Sequence, residues 1–424
     1  MTGNWTETRL RFAVQLNPSK SELQGVTEET EVTFLPMEAI SEDGSIRLDA
    51  TRPLSDVQSG YSYFRDGDVT IAKITPCFEN GKGALMHGLL GGVGFGTTEL
   101  IVARPRANVA DGAFLYWLFS SPDFRRSGEG SMYGAGGQKR VPDDFVRDFR
   151  VALPSLPEQT AIAAFLDRET GKIDALVEEQ KRLIELLKEK RQAVISHAVA
   201  KGLNPNVQMK ASGVEWLGDV PEHWEVVSLG ALFRFVKRQN GDEYEVLSVY
   251  RDHGVIPKAS RDDNINKTPE DLSKYQTVLP GDLVVNKMKA WQGSLGVSKH
   301  TGITSPDYAV FAPLHTAASD YLNLMLRCSL LPSIYRSISN GIRPDQWRVE
   351  PDKLKELKVP LPPRSEQDAI AHHLVASVGR WHELSDNAEK GILLLQERRS
   401  ALISAAVTGK IDIQEKAQPD VEAA

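Results

Sequence analysis

The chain has 424 residues, of which 41% are hydrophobic and 25% are charged, and its formal net charge is −7. This composition excludes a largely disordered chain, and the length predicts two or more soluble globular domains. The negative charge argues against a protein coated in basic surface, but it is compatible with a local nucleic-acid-binding patch.

Cysteines and apolar runs narrow the class of protein further. Cys77 and Cys328 are the only cysteines and lie far apart in the sequence, which excludes a disulfide framework and a zinc knuckle. The N-terminus has no apolar signal-peptide core, and no later run approaches the length of a membrane span. We therefore expect a cytoplasmic protein.

The segment from residue 1 to residue 152 consists of short apolar runs broken by Gly, Pro, Asp and Asn. Such runs are typical of a mixed α+β domain with much irregular loop. The predicted strands are 31–36, 68–74, 100–103 and 150–154, and the predicted helices are 113–120 and 143–149.

The segment 153–203 recurs as 361–411 within a second helical region, 361–412, and 20 of 51 aligned positions are identical at a constant offset of 208 residues. Both copies have helical periodicity and predict rods on the order of 60 Å long. The matched apolar stripes predict that the two helices pair. The predicted seam residues are Leu166, Ile173, Leu187 and Val194, flanked by Leu176, Val177, Leu183 and Ile184, and in the second copy Leu374, Trp381, Leu395 and Leu402, with Leu384 and Ile392 beside them.

Between the two copies, residues 204–360 contain a linker of turn residues and a second globular segment. This segment repeats the order of the first one, because Gly67-Asp68-Val69 with Lys73 matches Gly281-Asp282-Leu283 with Lys287. The polar loop 134–141 likewise matches 340–348. After Ile413 the tail is polar and acidic, which predicts disorder from 413 to 424.

Two related globular domains joined by stiff helices suggest a protein that contacts two half-sites of DNA. Basic and amide side chains cluster at corresponding places in the two domains, and such side chains can pair with base edges and phosphates. A single cluster of this kind is more often a solvated surface, but its recurrence favours a site. The candidate DNA-binding residues are Lys73, Arg125, Arg126, Tyr133, Gln138, Lys139 and Arg140 in the first domain, and Lys287, Lys289, Trp291, Gln292, Asn340, Arg343, Gln346, Trp347 and Arg348 in the second.

The chain resembles the specificity subunit of type I restriction-modification systems over essentially its full length. The resemblance rests on the helix starts VALPSLPEQTAIAAFLD and VPLPPRSEQDAIAHHL, the basic helix ends KEKRQAVISHAVAKG and QERRSALISAAVTGK, and the linker phrase WLGDVPEHWEVVSLG. It implies two target-recognition domains, and two conserved helices that form an antiparallel coiled coil with a pseudo-two-fold internal repeat.

The resemblance also implies what the chain does. It implies a non-catalytic subunit that binds a bipartite, asymmetric DNA site. The expected partners are two adenine methyltransferase subunits and two restriction subunits that translocate DNA. S-adenosylmethionine, ATP and Mg²⁺ are expected on these partners, with no cofactor or metal on this chain. The residues that match the family's helix starts, and are therefore expected to dock partners, are Glu158, Gln159, Glu366 and Gln367.

The sequence offers little support for catalytic chemistry of its own. The sequence has no methyltransferase NPP[YF] motif and no phosphate-binding P-loop. Asp352, Glu356 and Lys358 resemble a nuclease metal site, but their spacing is too short to place two carboxylates on adjacent strands around Mg²⁺. A coiled-coil adaptor that binds only proteins remains the main alternative, and an endonuclease is a weaker one.

Overall fold

The computed structural model describes residues 5–135, 137–239, 244–251, 253–261, 268–341 and 347–411. Two compact units are distinguished, Met1–Gln180 with Lys390–Ala424, and Lys181–Glu389. Each unit therefore contains one globular domain and part of both long helices.

The first globular domain has the predicted mixed architecture, and its strands and helices follow the turn residues of the sequence. The elements are β1 Thr6–Arg9, β2 Val14–Leu16, β3 Glu31–Leu35, β4 Thr51–Pro53, α1 Leu54–Val57, β5 Ser62–Arg65, β6 Val69–Ala72, β7 Gly83–Leu85, β8 Val93–Gly96, β9 Leu100–Pro105, α2 Gly112–Ser120, α3 Pro122–Ser131, α4 Asp143–Asp148, β10 Arg150–Leu153 and the long helix α5 Leu156–Lys201. The expected strands near residues 31, 69 and 100 are confirmed as β3, β6 and β9, and the two expected helices as α2 and α4.

Two four-stranded sheets form the first domain. One is antiparallel with the order β2-β9-β6-β7, and the other has the order β4-β3-β8-β5, in which β3 and β8 are parallel. Strand β1 pairs with β10 just before α5 begins. Phe114 and Leu115 of α2 are fully buried in the apolar core of this unit, where burial of such side chains contributes about 2 kcal/mol each.

The second globular domain repeats the first sheet. Its elements are β11 Met209–Ala211, β12 Asp219–Pro221, β13 Glu225–Ser228, α6 Leu229–Leu232, β14 Phe233–Val236, β15 Leu247–Tyr250, β16 Gly254–Pro257, β17 Gln276–Val278, β18 Leu283–Asn286, β19 Leu295–Val297, β20 Gly302–Thr304, β21 Tyr308–Pro313, α7 Ser319–Leu326, α8 Leu331–Ser337, β22 Ser339–Asn340, β23 Arg348–Val349, α9 Pro351–Glu356, β24 Lys358–Leu361 and the long helix α10 Arg364–Val407. The antiparallel order β14-β21-β18-β19 matches β2-β9-β6-β7, and β13 pairs with β24 as β1 pairs with β10.

Short 3-10 turns and the linker complete the chain. The linker contains a hairpin in which β11 pairs antiparallel with β12. The turn residues of the linker alone did not predict this hairpin. Lys201, the last residue of α5, donates a hydrogen bond from Nζ to the carbonyl oxygen of Leu217 over 3.0 Å and so holds this hairpin. The 3-10 turns are Leu10–Phe12, Lys20–Leu23, Met37–Ala39, Leu90–Gly92, Lys258–Ser260 and Ala290–Gln292.

The two long helices pair antiparallel, as the resemblance implied. In the first unit, Leu166 near the start of α5 shares one buried apolar cluster with Ile403 near the end of α10. Arg399 Nε lies 3.0 Å from Asp174 Oδ1 in the same unit. In the second unit, Val199 near the end of α5 shares a cluster with Leu374 near the start of α10.

The predicted seam is confirmed at Leu166, Ile173 and Leu374, which are buried. The other predicted central residues are only partly buried: Leu187, Val194, Trp381, Leu395 and Leu402. Val177 and Ile184 are buried with the seam, whereas their neighbours Leu176 and Leu183 are exposed. The tail 413–424 lies outside the described residues. Across the ranges that the structure describes, no helix combines the length and the apolar character needed to cross a membrane.

Candidate nucleic-acid interface

The two units place their basic loops at the same point of the repeated sheet. In the first unit, the backbone N–H of Val141 donates to the carbonyl oxygen of Lys73, just after β6, over 2.9 Å. In the second unit, Val349 N–H donates to Lys287 O, just after β18, over 3.0 Å. Each bond holds a loop against the end of a central strand, so the lysine and loop residues that the sequence paired come together in both units.

In the first unit, this loop is a tight hairpin closed by Tyr133 and Arg140. Tyr133 N–H donates to Arg140 O over 3.1 Å, and Arg140 N–H donates to Tyr133 O over 2.9 Å. Gly134 has a φ of +127°, and a Cβ there would lie 2.8 Å from the carbonyl oxygen of Gln138. Only glycine fits this position without strain. The hairpin leaves Tyr133, Gln138 and Lys139 exposed, and we name residues 133–135 and 137–140 the first recognition hairpin.

A bidentate ion pair fixes the closed end of the first recognition hairpin, at Arg140. Arg140 Nη2 lies 2.8 Å from Glu99 Oε1, and Arg140 Nε lies 2.9 Å from Glu99 Oε2. The hydrogen bond from Arg140 lowers the pKa of Glu99, and the nearby charge of Lys73 acts in the same direction. Arg140 thus orients the hairpin while remaining about one-third exposed.

The neighbouring arginines have different roles, and the DNA-binding prediction for one of them is corrected. Arg125 is buried at 8% exposure, and its guanidinium donates to Phe78 O and Gly81 O over 2.9 Å each. Burial lowers its pKa to about 10. Arg125 therefore holds a turn inside the first domain. Arg126 is exposed on α3 and pairs with Asp123 at 3.1 Å.

The second unit has a corresponding hairpin, in which β22 pairs with β23. Its exposed residues are Asn340 and Arg348, and Arg348 Nε lies 2.9 Å from the sulfur of Met288. We name Ser339–Asn340 and Arg348–Val349 the second recognition hairpin. Arg343 and Gln346, which the sequence also predicts as DNA-binding, lie outside the described residues.

Aromatic rings adjoin the second recognition hairpin. Trp291 and Trp347 pack edge to face with ring centroids 5.7 Å apart, and Trp291 Nε1 donates to Met288 O over 3.0 Å. The guanidinium of Arg336 lies 5.0 Å from the Trp347 ring centroid. The sequence prediction missed Arg336, because it lies on α8, outside both basic clusters. Lys289 and Gln292 are exposed beside these rings, and Lys287 Nζ donates to Pro306 O over 3.3 Å.

The Gly-Asp motif that recurs before the central strand has a structural role in both units. Asp68 is buried and accepts hydrogen bonds from Arg104 Nε over 2.7 Å and from the backbone N–H of Arg65 over 2.9 Å. Burial lowers the pKa of Arg104, but the carboxylates of Asp68 and Glu22 raise it by more, so the net effect is a raised pKa. Asp282 pairs in the same way with Arg238.

The glutamines predicted to dock partners are buried within their own units, which corrects that prediction. Gln159 and Gln367 are 0% and 3% exposed. Gln159 accepts a bond from Asp111 N–H over 2.8 Å, and Gln367 accepts one from Ala318 N–H over 2.7 Å. A partner subunit cannot contact these two side chains in this fold.

The neighbouring glutamates are half-exposed and bonded locally. Glu158 accepts hydrogen bonds from the N–H and hydroxyl of Ser155 over 2.9 and 2.7 Å, a cap for the first turn of α5. Glu366 accepts bonds from His223 Nε2 over 2.5 Å and Trp224 Nε1 over 3.0 Å. Partner docking at Glu158 and Glu366 stays a prediction.

The nuclease-like residues do not form a metal site in this fold. Asp352 and Glu356 lie on α9, Lys358 begins β24, and Asp352 pairs with Lys355 at 2.7 Å. Within the described ranges, no group of three or more His, Cys, Asp or Glu side chains is placed to hold a metal ion.

Comparison with known proteins identifies the class to which this arrangement belongs. Residues 221–379 match the family model of the type I restriction modification DNA specificity domain. The second globular domain therefore belongs to that family, and the chain is a relative of type I specificity subunits, which confirms the resemblance found in the sequence.

Individual relatives extend this result. The type I restriction enzyme EcoAI specificity subunit of Escherichia coli is 43% identical over 160 residues, which cover 37% of this chain and 26% of that subunit. The chain thus matches about a quarter of the EcoAI subunit's length. The MjaVIII specificity subunit of Methanocaldococcus jannaschii is 25% identical over 77% of this chain and 76% of that subunit. A solved chain from work on complex assembly and conformational transition of the type I restriction-modification system shares the fold, with a TM-score of 0.72 and 17% identity over 97% of this chain and 100% of that one.

Proposed function

We propose that this chain is the DNA sequence-specificity subunit of a type I restriction-modification complex and binds a bipartite, asymmetric DNA site. Each unit contacts one half of the site through its recognition hairpin. The chain itself is non-catalytic in this proposal, and it selects the DNA on which partner subunits act.

The recurrence of one surface in two unlike domains carries the proposal. Val141 N–H to Lys73 O and Val349 N–H to Lys287 O are the same backbone contact, yet the side chains around them differ. The first hairpin presents Gln138 and Lys139, and the second adjoins Trp291. A shared scaffold with different side chains suits two domains that select different base sequences.

The expected partners follow from the family relationship. We propose two adenine methyltransferase subunits and two restriction subunits that translocate DNA, with S-adenosylmethionine, ATP and Mg²⁺ bound by these partners. Glu158 and Glu366, at the starts of α5 and α10, are the candidate docking residues that remain.

Methylation mapping tests the proposal directly. Cells that carry the methyltransferase genes with and without this chain are sequenced for methylated adenine. The expected result is a split, asymmetric motif that is present only when the chain is present. An identical methylation pattern in both strains would falsify the proposal.

Salt dependence separates DNA recognition from a protein-only adaptor. The assembled complex is titrated with motif-bearing DNA between 50 and 200 mM salt, a range in which about six or more phosphate contacts reduce affinity by about 10³-fold or more. Affinity that is absent, or that does not change with salt, would instead favour the adaptor.

A further inference from the structure

Gln159 and Gln367 occupy the same place in the two units, in the first turn of the long helix that leaves each recognition domain. We propose that they are positioning residues: each fixes the orientation of a recognition domain on its helix, and together they limit the spacing between DNA half-sites that the subunit accepts. This inference rests on the proposed function.

The Gln159 amide joins three parts of the first unit. Its oxygen accepts from Asp111 N–H over 2.8 Å, at the start of α2. Its nitrogen donates to Val109 O and to Pro154 O over 3.0 Å each. One side chain on α5 therefore binds the loop before α2 and the proline segment that follows β10.

The Gln367 amide makes two of these three connections in the second unit. Its oxygen accepts from Ala318 N–H over 2.7 Å, at the start of α7, and its nitrogen donates to Pro362 O over 2.7 Å. Because the partner atoms in both units are backbone atoms, side-chain divergence of the domains leaves the connection intact.

Directionality distinguishes this joint from the apolar packing around it. Apolar contacts tolerate small rotations, whereas hydrogen bonds weaken steeply as the donor angle closes. Other polar contacts between domain and helix differ between the units. Trp117 Nε1 donates to Asp167 Oδ1 over 2.8 Å in the first, and Tyr321 Oη donates to Val199 O over 3.0 Å in the second. Among the residues that the structure describes, the glutamine makes a polar contact between domain and helix that recurs in both units.

The substitutions Gln159→Glu and Gln367→Glu test the proposal, because they keep the size and the accepting oxygen but place a carboxylate oxygen against backbone carbonyls. Gln192→Glu on α5 and Gln396→Glu on α10 make the same change at exposed positions of the same helices. Each variant is assembled as the full chain with its methyltransferase subunits. Methylation rates are then measured on the mapped motif at its native spacer and with spacers one base pair longer and shorter.

The wild-type complex and both control variants are expected to prefer the native spacer by about tenfold or more, since a misplacement of about 1 Å can cost a reaction 10²-fold. The Gln159 and Gln367 variants are expected to discriminate by only about threefold, while base preference within each half-site is kept. If the Gln159 and Gln367 variants melted at a lower temperature but kept the wild-type spacer preference, the proposal would be overturned. The two glutamines would then have a purely structural role.

A second substitution covers the case in which a buried carboxylate prevents assembly. Gln159→Met and Gln367→Met keep the length of the side chain without a charge, and the same spacer loss is expected of them. If the wild-type complex shows no sequence-specific methylation, the proposed function fails rather than the role of the glutamines.

Discussion

At the scale of single residues, the geometry of the first recognition hairpin depends on one glycine. Gly134 adopts a φ of +127°, and its backbone lies so close to Gln138 O that a Cβ would be 2.8 Å away. Real Cβ atoms do not approach a carbonyl oxygen this closely, so the hairpin backbone must move if the residue changes. The exposed side chains of Gln138 and Lys139 would move with it.

Replacing this glycine should weaken DNA binding without unfolding the domain. Gly134→Ala is expected to reduce affinity for motif DNA by about tenfold, because about 1–3 kcal/mol of strain must be relieved by moving the hairpin. Gly130→Ala on α3 is the matched control, since a Cβ there meets nothing within 4 Å. Affinity is measured by fluorescence anisotropy on the assembled complex. Equal affinities for the two variants would contradict the role given to the hairpin.

The ion pair between Arg140 and Glu99 in the same hairpin predicts that thermal stability depends on pH. The pKa of Glu99 is lowered from its ordinary value of 4.5, chiefly by the hydrogen bond from Arg140. A carboxyl group whose pKa is depressed in the fold stabilises the protein above its ordinary pKa and loses that effect as pH falls through the folded value. Glu99→Gln should therefore melt at a lower temperature than wild type at pH 7, and the difference should shrink in thermal scans as pH falls below 4.5 and through the lowered pKa of Glu99. A difference that does not shrink on acidification is incompatible with this assignment.

Residue roles show where sequence reasoning reaches its limit. The pairing of Lys73 with the loop before Val141 could be predicted, because the same order of residues recurs around Lys287. Arg125 and Arg126 could not be separated, since they are identical neighbours in the sequence. A helix turns by about 100° per residue, and this rotation alone buries Arg125 and exposes Arg126.

At the scale of elements, the long helices are the most predictable part of the chain. Their seven-residue apolar spacing predicted both helices and their pairing, and α5 and α10 begin and end within about five residues of the predicted bounds. The period did not determine which of two adjacent apolar residues faces the partner helix. Val177 is buried and Leu176 is exposed, because supercoiling and the register of the partner helix select the buried face.

The linker and the buried glutamines were less predictable for a different physical reason. The hairpin of β11 and β12 depends on contacts with the end of α5, such as the one from Lys201 to Leu217 O. Gln159 and Gln367 lie in the first turn of a helix, where polar residues are usually exposed. Their burial becomes visible only when Asp111 and Ala318 are brought next to them by the fold.

Leucines of α10 provide a direct measure of helix pairing. Leu374 is fully buried in the core of the second unit, whereas Leu384 on the same helix is 51% exposed. Leu374→Ala is expected to lower the free energy of unfolding by about 2–5 kcal/mol through lost burial and a residual cavity. Leu384→Ala should change it by about 0.5 kcal/mol or less. Denaturant titration of the full chain gives both values, and comparable losses would show that the buried face has been assigned incorrectly.

At the scale of the whole molecule, duplication followed by divergence explains which parts are alike. The helix copies keep 20 of 51 residues, and the two sheets keep one strand order. The hairpin side chains differ. The net charge of −7 is compatible with DNA binding, because DNA contact depends on local cations such as the exposed Lys139 and Arg348 of the two hairpins. The two halves of the chain therefore share their helices and their sheet order, and they differ in the side chains of the hairpins.

Independent contact surfaces imply that each half of the DNA motif can be altered alone. Gln138 and Gln292 are exposed amides of the first and second units, and an amide can pair with an adenine edge. Gln138→Ala should relax base discrimination in one half of the methylated motif by about tenfold, and Gln292→Ala should do so only in the other half. Gln192→Ala, at an exposed position of α5, should leave both halves unchanged.

Methylation mapping of the three strains gives the base preference at each motif position. If Gln138→Ala and Gln292→Ala altered the same half, the two units could not be separate readers. If Gln192→Ala altered either half, the effect would lie in the helices rather than in the hairpins. A separable effect requires that base selection be local to each unit, at the first recognition hairpin and at the residues beside the second one.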